Sequence, residues 1–415
     1  MRSRRFVPSD PRIPSVPPRP HLTVPTIARG DALALTRALV AIDSRNPSLA
    51  AGAPGERAVA VFLAATLREW GFAVDLIESA PGRPNVLARI GGGHGGRSLM
   101  LNGHLDTVDV TGMTHPPFTP EERDGRLHGR GSTDMKAGIA AMCAAAARAS
   151  DSDLGGEVII AAVVDEEYAS LGTRTLLEAG VTAHAAIVTE PTRLAIAPAH
   201  RGFAWADVTV EGRAAHGSRY DVGVDAITHA ALVLAELDAH QRATLVRRTH
   251  PLLGHASLHA GTISGGIGIS TYPDRCTFSV ERRTIPGERG SDFAGEVEAA
   301  IARVRARLPE LRASVAPGLV QDPNDVPLDH PIVAAMQFAS AAEGPVAPIE
   351  GLSCWTDAAL LTAAGIPAIC YGPGDIALAH AAEEYVVTEE IARATAVLTR
   401  LVTNWCGPKG VAWGS

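Results

Sequence analysis

From Val158 to Val164 every residue is apolar, and the run stops at Asp165-Glu166-Glu167. A strand that is hydrophobic at every position must be covered on both faces. Residues 157–164 therefore predict a central strand of a sheet with helices on either side. Residues 185–188 repeat the pattern more briefly and end at Thr189-Glu190-Pro191, and residues 98–102 lead into Gly103-His-Leu-Asp106. These strand runs alternate with helical spacings at 31–42, 56–70 and 137–149. That alternation predicts an α/β domain with a mainly parallel sheet, whose ligands bind beyond the carboxyl ends of the strands. Three consecutive acids at such an end repel one another and lose hydration, which is costly without a compensating cation.

Short strands are also predicted at 72–77 and 85–90. Between 85–90 and 98–102 lies Gly91-Gly-Gly-His-Gly-Gly96, formally a G-x-G-x-x-G match. A strand rather than a helix follows it, so the dinucleotide reading fails on context and a hairpin turn is expected. Gly129-Arg-Gly-Ser-Thr-Asp-Met-Lys-Ala-Gly138 runs into an alanine-rich helix, with Asp134 at its start. Asp134, Ser132 or Thr133 would suit an N-cap there.

After Gly202 the pattern changes. Strands at 203–210, 274–281 and near Ala313 and helices at 221–237 and 291–308 are read as a β-α-β-β-α-β arrangement with its fourth strand unassigned, an α+β (ferredoxin-like) unit. From 330 the α/β alternation resumes. Helices are expected at 331–342, 355–364 and 389–403, the last capped by Thr388, with a strand at 366–371 and a loop from Gly372 to His380. Residues 202–322 thus interrupt one α/β domain formed by 26–201 and 323–415. Residues 1–25, rich in Pro and Arg, predict a disordered tail.

A chain of 415 residues with 46% hydrophobic and 20% charged residues can bury a large core. Its net charge of −8 offers no basic field for nucleic acid. No apolar run reaches the ~18 residues that suggest a membrane span. The five cysteines form no C-x-x-C, so neither a disulfide framework nor a thiolate metal site is indicated. A reducing cytoplasm is the expected compartment.

His104 and Asp106 are two residues apart and share one face of a strand. Asp134, Glu166, Glu167 and Glu190 sit near strand ends, and His380 lies in a late loop. Two imidazoles and several carboxylates can hold two divalent ions if one carboxylate bridges. Nitrogen and oxygen ligands suit Zn²⁺ first, with Co²⁺ or Mn²⁺ as alternatives. Paired ions serve hydrolysis of stable bonds.

Seven segments in order carry a resemblance. They are Gly103-His-Leu-Asp-Thr-Val108, the Gly129–Gly138 loop, Asp165-Glu-Glu167, Thr189-Glu-Pro-Thr192, Ala215-His-Gly-Ser218, Glu281-Arg-Arg-Thr-Ile-Pro-Gly-Glu288, and Gly372-Pro-Gly374 with His380. With them the chain resembles the M20 metallopeptidase family, which includes acetylornithine deacetylase, succinyl-diaminopimelate desuccinylase, aminoacylase and glutamate carboxypeptidase. The resemblance implies one metal on His104 and Glu190, a second on Glu167 and His380, and Asp134 bridging. It implies Asp106 as the orienter of His104, Glu166 as general base, and a cis peptide after Asp134. The inserted unit would be the family's lid and dimerisation domain. His216 would reach across a homodimer to polarise the scissile carbonyl, and Arg283 would bind a substrate carboxylate, although a salt bridge with Glu281 also accounts for it. Thr262–Gly266 matches a substrate-side turn, with Ser264 where relatives often have Asn. Glu384 also matches, but a surface charge explains it equally well. The implied activity is deacylation of a small N-acyl amino acid. The alternatives are a dipeptidase or carboxypeptidase with the same site and, more remotely, a non-catalytic dimeric binding protein. No nucleic-acid or membrane partner is expected.

Overall fold

The structure, a computed structural model, describes residues 26–408. The expected tail at 1–25 lies outside the described residues. The strands of the two larger sheets, in chain order, are β1 (Ala73–Ala80), β2 (Arg83–Gly91), β3 (Leu99–His104), β4 (Glu157–Val163), β5 (Ala185–Val188), β6 (Ile196–His200), β7 (Gly202–Glu211), β8 (Ser257–Gly265), β9 (Arg275–Thr284), β10 (Arg312–Gln321), β11 (Asn324–Asp325), β12 (Ile349–Leu352) and β13 (Ala368–Cys370). The helices are α1 (Ala32–Val40), α2 (Arg57–Glu69), α3 (Ala137–Ala149), α4 (Leu171–Glu178), α5 (Ala226–Ala243), α6 (Phe293–Arg307), α7 (Pro331–Ala342), α8 (Ala358–Ala363) and α9 (Thr388–Trp405).

The large sheet runs β1-β2-β4-β3-β5-β13-β6-β11, with β12 beside β6. Its centre, β4-β3-β5-β13, is parallel, and antiparallel strands flank it. Alternate residues of each central strand enter opposite cores, as the apolar run requires. Val158, Ile160 and Ala162 pack among α1, α2, α3, α7 and α9, while Ile159, Ala161 and Val163 pack toward α4 and α8. Each buried Val or Ile side chain among these contributes roughly 1.5–3 kcal/mol.

The small sheet runs β8-β9-β7-β10. Helices α5 and α6 cover one face through Val233, Leu237, Val297 and Ile301 against Val208, Val210, Phe278 and Val280. On β9, Cys276, Phe278 and Val280 are buried, and Thr277, Ser279, Glu281 and Arg283 are half-exposed on the other face. The chain order β7-α5-β8-β9-α6-β10 is the expected β-α-β-β-α-β.

Several local expectations change. Gly91–Gly96 is no hairpin turn: β2 and β3 both pair with β4, which lies between them. The central position goes to β4 because only a strand apolar on both faces tolerates it. Helix α5 starts at Ala226, where Asp225 accepts the Thr228 N–H, rather than at 221. Trp355 lies before α8, with its indole N–H on the Asp322 carbonyl (2.9 Å). Thr388 is the first residue of α9 and not its cap, and its hydroxyl donates to the Gly125 carbonyl at 3.1 Å. Thr262–Gly265 continues strand β8 instead of forming a turn.

Candidate metal centre

Register levels the ends of the parallel strands. His104 of β3 pairs with Val163 of β4, and Asn102 pairs with Val188 of β5. The Leu105 N–H donates to the Val163 carbonyl (2.7 Å) and the Thr189 N–H to that of Asn102 (2.9 Å), so the alignment persists past the strand ends. Glu166, Glu167 and Glu190 therefore emerge beside His104. Asp134 reaches the same place from the start of α3. A Cβ on Gly138 would lie 1.9 Å from the Thr189 carbonyl oxygen, so only glycine lets this helix approach so closely. Asp134 caps nothing: the N-cap position of α3 is Lys136. The Asp134–Met135 peptide is cis.

The Asp134 carboxylate lies between two imidazoles. Its Oδ1 is 3.0 Å from His104 Nε2, and its Oδ2 is 3.5 Å from His380 Nε2. His380 Nε2 also meets Glu167 Oε2 at 2.9 Å. His104 Nε2 is 3.9 Å from Glu190 Oε1 and 4.0 Å from Glu166 Oε2. Two trios, His104–Glu166–Glu190 and His104–Asp134–Glu167, each place ligand atoms within 4.8 Å of one another. Glu167 Oε1 is buried with no hydrogen-bond partner. An orphaned buried oxygen is costly in a finished site, and a cation would satisfy it. The residues thus fit a divalent-metal centre of nitrogen and oxygen donors.

The electrostatics agree. Burial pushes Glu166 and Glu190 well above the usual carboxylate range, and burial followed by the Asp134 charge raises Glu167. Burial works to raise Asp134 too, but hydrogen bonds from His104 and His380 hold it below that range. Hydrogen bonds to Asp134 and Glu167 push His380 up to about 10. Burial pulls His104 down, yet the Asp134 hydrogen bond and the Glu166 and Glu190 charges outweigh it and raise this imidazole. Such a field draws in positive charge.

Asp106 acts on His104 through its main chain. His104 Nδ1 is 2.9 Å from the Asp106 carbonyl oxygen and 3.7 Å from the nearer carboxylate oxygen. The Asp106 carboxylate instead accepts the N–H groups of Glu166 and Glu167, both at 3.2 Å, and Asn46 Nδ2 at 2.8 Å. Asp165 turns the chain at φ 68° and pairs with Arg83 at 2.9 Å, so it leaves the cluster to Glu166 and Glu167.

The inserted unit holds the other two candidates. His216 is exposed, with Nδ1 2.8 Å from Ser218 Oγ, and it belongs to neither trio. Arg283 forms an ion pair with Glu281, and its guanidinium carbon is 5.5 Å from the Phe203 ring centre. His216 lies in the segment between β7 and α5, and Arg283 lies on β9.

Several supporting residues are settled only by the tertiary structure. Glu384 is wholly buried, not a surface charge, and pairs with the buried Arg130. Asn46 reaches Asp106, and Asp357 is buried nearby, accepts the Thr173 hydroxyl at 2.6 Å, and is pushed up to about 6 by burial. An arginine set between two glycines, Gly129-Arg130-Gly131, is the one local signal.

The pattern of peptidase family M20/M25/M40 matches residues 100–404. Acetylornithine deacetylase of Myxococcus xanthus is 34% identical over 333 residues, covering 78% of this chain and 84% of that protein. The N-formyl-4-amino-5-aminomethyl-2-methylpyrimidine deformylase of Bacillus subtilis (strain 168) is 29% identical over 385 residues, 84% of this chain and 89% of that protein. The crystal structure of the Bacillus subtilis YXEP protein, described as a dinuclear metal binding peptidase from the M20 family, shares the fold. Its TM-score is 0.66 at 16% identity, with 91% of this chain and 98% of that one covered. Because the family pattern runs through most of the chain, from β3 to α9, the protein belongs to peptidase family M20/M25/M40 and is a hydrolase of amide bonds.

Proposed function

We propose that the protein removes the acyl group from an N-acyl amino acid as a two-metal amidohydrolase. The observation that carries this reading is Asp134, whose two oxygens face separate imidazoles at 3.0 and 3.5 Å. His104 and Glu190 would hold one ion and Glu167 and His380 the other, with Asp134 shared. Zn²⁺ suits the donor set best, with Co²⁺ or Mn²⁺ as alternatives. Paired ions supply Lewis-acid polarisation of a carbonyl and activation of water at neutral pH.

The chain supplies proton transfer and placement. Glu166 is nearly buried and stands 4.0 Å from His104 Nε2. It would take a proton from the attacking water and pass it to the leaving amine. The products are a carboxylic acid and a free amino acid. Arg283 would hold the substrate carboxylate through two parallel hydrogen bonds, giving up its pairing with Glu281.

The working form in this reading is a homodimer. Strand β8 is an open sheet edge, and Ile263, Ile267, Ile269 and Tyr220 near it are strongly exposed. Pairing along this edge would cover them, and it would carry His216 toward the metal centre of the other protomer. Both relatives named above remove a small acyl group, acetyl or formyl, which supports deacylation. The family's description as peptidases favours a dipeptide as the second reading. A panel of N-acyl amino acids and dipeptides, assayed on one Zn²⁺- or Co²⁺-loaded preparation, separates the two. The expected result is a higher kcat/KM on acyl amino acids, and faster dipeptide cleavage would reverse the assignment.

A further inference from the structure

The loop that delivers Asp134 folds around a second carboxylate. Glu384 is wholly buried, and four donors converge on it. Its Oε2 accepts Arg130 Nη1 at 2.6 Å and the Gly131 N–H at 3.0 Å. Its Oε1 accepts the Thr133 N–H at 2.9 Å and the Asp134 N–H at 3.2 Å. Main-chain N–H groups turned inward like this form an anion-binding nest. The nest depends on Gly131, whose φ of 80° is ordinary only for glycine.

Glu384 also belongs to the segment that carries His380, four residues before it. The Gly129 N–H donates to the Glu384 carbonyl at 3.2 Å, and the next residue, Tyr385, pairs with His128 in an antiparallel ladder. One side chain therefore ties the loop bearing Asp134 to the segment bearing His380. Its charge is answered locally: Arg130 is 2% exposed, and its Nε is spent on the Asp109 carbonyl at 3.1 Å. Glu384 is in neither trio of candidate ligands, so it acts through its neighbours.

We infer that Glu384 is a positioning residue that sets where the shared carboxylate of Asp134 stands between His104 and His380, and so sets the affinity for both ions. The inference rests on the two-ion reading above. Glutamine is the informative replacement. Its amide has one acceptor oxygen and an NH₂ group, so whichever way it turns, two of the four donors lose their acceptor. Residues that orient metal ligands in this indirect way typically change metal affinity by about 10–100-fold when replaced.

The test titrates Zn²⁺ into the full-length, metal-free protein against a chromogenic chelator, with far-UV circular dichroism to establish folding. The wild type should bind two ions. Glu384→Gln should bind both about 10–100-fold more weakly while remaining folded. The double variant Glu384→Gln/Arg130→Gln also removes the buried cation left without its partner. It should show the same loss even if the single variant folds poorly. A purely structural ion pair would lower Tm and leave both affinities at the wild-type level in the folded protein. That result in either folded variant overturns the inference about Glu384 alone. A wild type that binds fewer than two ions overturns the two-ion reading instead, and this inference with it.

Discussion

The Asp106 carboxylate holds the main chain of Glu166, accepting its N–H at 3.2 Å, while the Asp106 carbonyl takes His104 Nδ1 at 2.9 Å. One residue thus fixes both a candidate metal ligand and the candidate base. Asp106→Asn keeps one acceptor oxygen and cannot hold Glu166 and Glu167 together. The variant should lose about 10–100-fold in Zn²⁺ affinity, with a parallel fall in kcat/KM. Wild-type values for both quantities would show that the contact is incidental.

Glu166→Gln should retain the metals and the fold but lose about 10²–10⁴-fold in kcat, because an amide cannot accept the proton. Glu167→Gln should instead weaken metal uptake itself, since Glu167 meets His380 at 2.9 Å. Elemental analysis beside steady-state kinetics distinguishes the two. Near-normal turnover in Glu166→Gln would place the base elsewhere.

Chelation should abolish activity, and Zn²⁺, Co²⁺ or Mn²⁺ should restore it. Because Asp134 faces two imidazoles, full activity should require two ions per chain. Full recovery at one equivalent in a back-titration would remove the bridging role.

His216→Ala and Glu166→Ala should each be nearly inactive, for different reasons. Loss of a donor to a developing oxyanion costs about 10²–10³-fold. When the two variants exchange subunits, the protomer with intact Glu166 receives intact His216 from its partner, so one whole site forms and activity should return. Heterodimers shown to form without activity would leave His216 with no role across the interface.

His200 is wholly buried beside Trp355, with Nδ1 2.9 Å from the Arg201 carbonyl oxygen, and burial pulls its pKa down to about 4. The unfolded chain protonates this imidazole below about 6.5 while the folded one does not. Its contribution to stability is therefore complete above pH 6.5 and is lost as pH falls toward 4, by up to about 3 kcal/mol. Tm measured against pH should fall more steeply over that window for the wild type than for His200→Gln in the same metal state. Parallel curves would mean that His200 is not the titrating group.

Much of the architecture is legible in the sequence because its determinants are local. The apolar run Val158–Val164 demands two covered faces, and β4 has them. The alternation on β9 separates Phe278 and Val280 from Ser279 and Glu281. Acids directly after buried strands mark where a cation belongs, and Glu166, Glu167 and Glu190 converge there with His104.

What the sequence by itself determined was which residue types stand at strand ends and which faces are apolar. Both follow from side-chain period and the cost of burying charge. Only the tertiary structure decided who meets whom. The sequence leaves Glu384 open between a family match and a surface acid because its four donors lie in a loop some 250 positions before it, brought to it by the Tyr385–His128 pairing. The glycine-rich connection looks like a hairpin because nothing in it records that β4, far along the chain, pairs between its two strands. Residue type alone does not separate Asp165 from Glu166 and Glu167; the resemblance leaves Asp165 without a role, and the backbone turns it toward Arg83. Strand order, register and buried ion pairs are long-range choices, settled by which packing leaves the fewest polar groups unmatched.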